Sequence, residues 1–146
     1  MLLLGSRNNT AQSVAVNGTV NLGATYRKYC KKINGTSTFN FTGTNVALQQ
    51  KGIYHITATL IASAPAAGVV TFQLFSNGIA LPSALSSNSI TTATTELRTF
   101  VLDYYVLVDG TSNLGCPITN IENLSIINTG VAATVSNVIF NVEKVL

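Results

Sequence analysis

Residues 51–82 read KGIYHITATLIASAPAAGVVTFQLFSNGIALP, two alternating runs joined by a break and closed by a tight turn. From Ile53 to Ala62 the chain alternates strictly. Tyr54, Ile56, Ala58 and Leu60 fall on one side; His55, Thr57, Thr59 and Ile61 fall on the other. A period of two belongs to a pleated strand with unlike faces. Pro65 to Gly68 interrupts it, and a second alternating run covers Val69 to Ser76. Asn77-Gly78 then precedes the short apolar piece Ile79–Leu81. An Asn-Gly pair tolerates the positive φ angles that a two-residue hairpin turn requires. The stretch predicts a β-meander.

Working outward gives more of the same. Upstream, Val14 and Val16 alternate up to Asn17-Gly18, and Val20 and Leu22 alternate away from it, predicting a first hairpin. Thr38–Phe41 and Asn45–Gln49 read as two short strands around Thr42-Gly43-Thr44. Downstream, Ser83 to Thr95 is polar and reads as a long connection or a weak edge strand. Leu97 to Val108 is the longest strand candidate and is apolar on both faces. Phe100, Leu102, Tyr104 and Val106 lie on one side, Val101, Tyr105 and Leu107 on the other. Such a strand needs cover on both sides. Asp109-Gly110 turns the chain, and Leu124–Asn128 and Val135–Val145 close it. No helical periodicity competes. Many short strands with Gly and Asn at the turns predict an all-β, antiparallel two-sheet sandwich of the jelly-roll type. Its core is expected to hold Tyr54, Ile56, Leu60, Phe72, Leu74, Phe100, Leu102, Val138 and Phe140.

The segments GIYHITATL (52–60) and QLFSNGIALP (73–82) resemble the central strands of the TNF-like and complement-globular-head jelly rolls. Within that family the chain is most similar to the bacterial and phage branch, which includes the C-terminal domains of exosporium collagen-like glycoproteins. The closing TVSNVIFNVEKVL (134–146) resembles the branch's last strand, and NNTAQSVAVNGTVNLG (8–23) resembles leaders of small phage and prophage structural proteins. The resemblance implies a TNF-like sandwich assembling as a homotrimer. It also implies a structural role on a phage or prophage virion, as a capsid decoration, head fibre or tail-associated knob. No Gly-X-Y tract precedes the domain, a departure from the exosporium glycoproteins. Residues 1–33 are expected to form a leader with a short hairpin, and residues 34–146 the jelly-roll domain.

Composition fits an assembling protein. The 146 residues are enough for one domain with a real core. Only 9% are charged, where about 25% is ordinary, and 47% are apolar. So few charges are expected either of an extracellular-type β protein or of a surface partly hidden in an oligomer. The outward apolar positions Ile53, Ile61, Val101, Tyr105 and Leu107 are the candidate trimer interface, since contiguous exposed apolar surface marks a protein contact. No apolar run reaches the roughly 20 residues that span a bilayer. MLLLGS is too short for a signal peptide, so the chain is expected to be made in the host cytoplasm and to end in the virion.

The only dense charge cluster is TYRKYCKKINGT (25–36), with Arg27, Lys28, Lys31 and Lys32 among Tyr26, Tyr29 and Cys30. Interleaved Tyr and Lys can stack bases and neutralise phosphates. One patch in a domain of net charge +3 points instead to a solvated connection, or to an attachment patch for an acidic protein surface. No nucleic-acid or membrane partner is expected; other virion proteins are. Cys30 and Cys116 admit either a long-range disulfide or two free thiols, and cytoplasmic synthesis favours thiols.

Catalytic chemistry is thin. His55 is the single histidine, and a triad would need Asp103 or Asp109 with a serine, yet no GxSxG elbow exists. The five acids Glu96, Asp103, Asp109, Glu122 and Glu143 are scattered, although calcium at a loop near Asp109 stays open. No phosphate-binding glycine motif is present. The expectation is a non-enzyme without cofactor or metal. Two alternative roles remain. One is a receptor-binding module for host carbohydrate, with Tyr26, Tyr29 and Tyr104 as aromatic candidates. The other is a spore-surface structural protein.

Overall fold

A computed structural model describes residues 1–33, 35–109 and 121–146. The strands in chain order are β1 (Leu2–Asn8), β2 (Gln12–Val14), β3 (Ala24–Lys28), β4 (Lys32–Ile33), β5 (Thr36–Ser37), β6 (Phe39–Phe41) and β7 (Val46–Leu48). They are followed by β8 (Gly52–Ser63), β9 (Gly68–Ser76), β10 (Ile79–Ile90), β11 (Arg98–Val108), β12 (Glu122–Asn128) and β13 (Ala133–Lys144). One sheet runs β11-β8-β13-β1-β3, with β2 also paired to β13. The second runs β10-β9-β12-β7-β6, and β4 with β5 makes a small ribbon. All pairings are antiparallel. The fold is the expected two-sheet jelly-roll sandwich.

The alternation sets the core. Tyr54, Ile56, Leu60, Phe72, Leu74, Phe100, Leu102, Val138 and Phe140 are all buried between the sheets. Phe72 of β9 meets Phe100 of β11 edge-on, ring centroids 4.9 Å apart, and so joins one sheet to the other. Tyr54 donates its hydroxyl to the Gln50 carbonyl at 2.6 Å, which satisfies the buried polar tip. Burial pushes its phenol up to about 12.

The two Asn-Gly pairs behave differently. At Asn77-Gly78 both φ angles are positive, 52° and 78°, and Ser76 pairs with Ile79 in the predicted hairpin. At Asn17-Gly18 the predicted hairpin does not form. Asn17 takes a φ of 63° and the Gly18 amide bonds the Ala15 carbonyl, so the chain turns, but its two arms find different partners. Val14 pairs with Ala133 in the six-stranded sheet, whereas Val20 bonds the Ile126 carbonyl in the other. The segment is a crossover between the sheets. Buried Asn128 secures it, donating Nδ2 to the carbonyls of Val14 at 3.2 Å and Val131 at 2.8 Å.

Of residues 1–33, expected as a leader, β1, β2 and β3 are built into the six-stranded sheet of the sandwich. β1 lies between β13 and β3, β2 continues the same position along β13, and Leu4, Val20 and Leu22 are fully buried. β1 thus bridges β13 and the edge strand β3.

The polar stretch after Pro82 resolves as an edge strand, the second half of β10, paired to β9 from Leu85 to Ile90. Its Ser87 hydroxyl bonds Thr71 across the pair at 2.7 Å. Between β10 and β11 the chain is stapled by Glu96. One carboxylate oxygen accepts from the amides of Thr91 at 2.6 Å and Thr92 at 2.9 Å, and the other from Arg98 at 2.5 Å. Amide donation from Thr92 and Thr91, joined by Arg98, holds this carboxyl at about 2, against an ordinary 4.5. Because the folded value is depressed, the staple is at full strength above pH 4.5 and is lost as pH falls through 2. The amide protons of Thr91 and Thr92 should therefore titrate with a midpoint near 2. A midpoint near 4.5 would show that the staple is not formed in solution.

Candidate functional site

The outer face of the six-stranded sheet collects the sequence-predicted interface residues. In the β11–β8 pairing Leu107 stands opposite Ile53, Tyr105 opposite His55, Val101 opposite Thr59 and Thr99 opposite Ile61. On the far side of β8, Glu143 pairs with His55, Asn141 with Thr57, Ile139 with Thr59 and Asn137 with Ile61. Residues on one face of adjacent strands sit side by side, so these rows form one surface. Val101, Tyr105 and Leu107 are 58–60% exposed, unusual for large apolar side chains in the middle of a long strand. Ile139 is exposed beside them, and Ile53 and Ile61 are half-buried. Among the described residues nothing covers β11 on this side.

Polar residues hold the centre of the face. His55 Nε2 lies 2.6 Å from an Asp103 carboxylate oxygen, and Nδ1 lies 3.8 Å from a Glu143 oxygen. The Tyr105 ring stacks on the imidazole, centroids 4.5 Å apart and planes 12° from parallel. Sequence reasoning placed His55 and Asp103 in a hypothetical triad. The pair forms, but the other ring nitrogen faces a second carboxylate and not a hydroxyl. Among the described residues neither ring nitrogen is bonded to a hydroxyl or thiol that it could activate. Glu143 was not foreseen as a partner, because only the β8–β13 register brings it across.

Farther along, Tyr26 of β3 lies over Gly5 of β1 and donates to Asn141 Oδ1 at 2.6 Å. A Cβ on Gly5 would meet the tyrosine ring at 2.5 Å, so glycine permits this close approach. Arg7 covers the same ring, 5.0 Å from its centroid. Tyr26 is therefore committed to the sheet. Tyr104 packs inward against the core, and Tyr29 lines a cleft at one end of the sandwich. The three tyrosines proposed for carbohydrate do not share a cleft.

The basic residues occupy the opposite edge. Arg27 and Lys28 are exposed on β3, the strand farthest from β11, and Lys31 and Lys32 are exposed just beyond it. Lys31 and Lys144 line the cleft with Tyr29, an opening of about 370 Å³. Among the described residues, none of the four cluster cations is in an ion pair. Cys30 sits among them, exposed, with Sγ 3.6 Å from the Phe39 carbonyl. Partial burial pushes its thiol up, but hydrogen bonds around Ser37–Phe39 and the Lys28 charge outweigh this and leave it lowered. Cys116 and the residues after Asp109, where calcium stayed open, lie outside the described residues. Among the described residues no three His, Cys, Asp or Glu side chains gather as metal ligands.

No family model and no curated protein matches the chain in sequence. Solved structures do match. Eiger TNF from S. frugiperda superposes with a TM-score of 0.62 at 8% identity, covering 99% of this chain and 93% of that one. The globular domain of zebrafish complement 1qA protein gives 0.57 at 8% identity, covering 100% and 98%. The chain thus has the TNF-like jelly-roll fold over its whole length.

Proposed function

We propose that this chain is a non-enzymatic structural protein of a phage or prophage virion, a capsid decoration, head fibre or tail-associated knob working as a homotrimer. The observation that carries the assembly is the exposed strip Val101, Tyr105 and Leu107 beside Ile53 on the outer face of the six-stranded sheet. It lies on β11, which is both an edge strand and 11 residues long. Long apolar edge strands invite uncontrolled pairing unless covered, and a closed symmetric oligomer covers them. An obligate interface of this kind buries more than about 2,000 Å². The TNF-like fold supports three copies. The virion role rests on the resemblance of QLFSNGIALP and TVSNVIFNVEKVL to the phage branch. Synthesis in the host cytoplasm, and virion proteins as the remaining partners, follow from that role.

Attachment falls to Arg27, Lys28, Lys31 and Lys32. They stand on the edge of the sheet away from β11, so a trimer closed through the β11 side leaves them exposed. Four cations repeated about an axis make a strong local field that suits an acidic capsid surface. Light scattering on dilute protein should give the mass of three chains; the mass of one would refute the assembly. Reversing all four charges should leave the trimer intact and abolish loading onto purified particles. Variant trimers that load as well as the parent would reduce the cluster to a solvated edge.

A further inference from the structure

We propose that the self-association is proton-linked, and that His55 is the group that takes up the proton. The inference rests on the assembly reading above, because it concerns the same face. The imidazole lies between two strands. From β11 it meets Asp103 and Tyr105, and from β13 it meets Glu143. Its same-face neighbours on β8, Ile53 and Thr57, carry no charge. Arg7 of β1 is paired with Ile139, two positions along the face, and is stacked on Tyr26.

A neutral imidazole carries one N–H. If Nε2 donates to Asp103, Nδ1 turns a lone pair toward the Glu143 carboxylate, and only the protonated ring can answer both acids. The stacked Tyr105 keeps the ring between them. In the single chain the arrangement is cheap, since the Asp103 and Glu143 side chains are 62% and 51% exposed. Water screens them.

Covering the face removes that water. Each copy then brings two carboxylates and one ring into a medium where both repulsion and attraction grow. With the ring neutral the cluster carries two uncompensated negative charges; with the ring protonated it carries one. The covered state therefore holds the proton more tightly than the free chain does. By reciprocity, the proton tightens assembly. Histidine is the side chain that ordinarily changes charge between pH 5 and 8, which sets the range over which assembly is followed.

Sedimentation of the full chain across a dilution series at pH 5.5, 7.0 and 8.0 tests this. The midpoint concentration for dissociation should be lower at pH 5.5 than at 8.0 by about tenfold or more, since a one-unit change in proton affinity at one site is tenfold. His55→Gln should flatten the dependence, and Glu143→Gln, which keeps the histidine, should reduce it. A parent oligomer whose midpoint is the same at 5.5 and 8.0, or is lower at 8.0, overturns the proton linkage alone. So does a His55→Gln protein that keeps the parent's dependence. A parent that is a single chain at every pH and concentration overturns the assembly and the linkage together.

Discussion

Phe72→Ala is expected to destabilise the domain by about 3–5 kcal/mol, most or all of the margin of a domain whose total stability is about 5–15 kcal/mol. Phe72 is fully buried, and its edge-on contact with Phe100 ties β9 in one sheet to β11 in the other. Removing the ring opens a cavity between two sheets whose strands are held by hydrogen bonds along their length and so cannot collapse into it. Phe140→Ala, on β13 in the middle of the six-stranded sheet, should fall in the same range. Val69→Ala is the contrast. That side chain is half-exposed on the outer face of β9, and its loss should change stability by less than about 0.5 kcal/mol. Urea unfolding followed by tryptophan-free signals such as far-ultraviolet circular dichroism gives all three. A Phe72→Ala midpoint within experimental error of the parent would mean that the two rings do not hold the sheets together.

The second large effect concerns assembly. Val101→Asp combined with Tyr105→Asp places two carboxylates on the apolar strip without touching the core, because both side chains are more than half exposed. Truncating an interface tyrosine that acts as a hot spot costs about 2 kcal/mol or more, about a thirtyfold change in affinity, and an unpaired buried carboxylate costs further. The double variant should therefore be a folded single chain at micromolar concentration, where the parent is expected to be three copies. Light scattering gives the mass, and an unchanged circular-dichroism spectrum shows that folding survives. If the double variant keeps three copies, the contact lies on another surface.

Both expectations start from positions that alternation alone assigned. The pattern from Ile53 to Ala62 and from Val69 to Ser76 sets which residues turn inward, since a pleated strand offers two faces and apolar side chains take the one away from water. All nine core residues expected on that ground are buried. The outward apolar set Ile53, Ile61, Val101, Tyr105 and Leu107 likewise falls on one face, because each parity assignment was right within its strand. The Asn77-Gly78 turn was equally local: two residues with positive φ, placed between two strands, leave the chain one way to go.

Pairing over long distance was not legible. Asn17-Gly18 carries the same dipeptide and turns the chain in a similar way, yet its arms separate: Val14 pairs with Ala133 of β13, and Val20 bonds the Ile126 carbonyl in the other sheet. Residues 2–8, LLLGSRN, show no clean alternation, and a bulge between Leu2 and Leu4 explains why. Their place in the sheet is set by β13, at the other end of the chain. His55, Asp103 and Glu143 are equally separate in sequence and meet only through the registers of β8 with β11 and β13. Local chemistry determined the strands, their faces and one hairpin, since those depend on neighbours a few bonds away. Which strands lie side by side, and so which charges touch, was decided by burial of the whole core at once, and no short stretch of sequence contains that information.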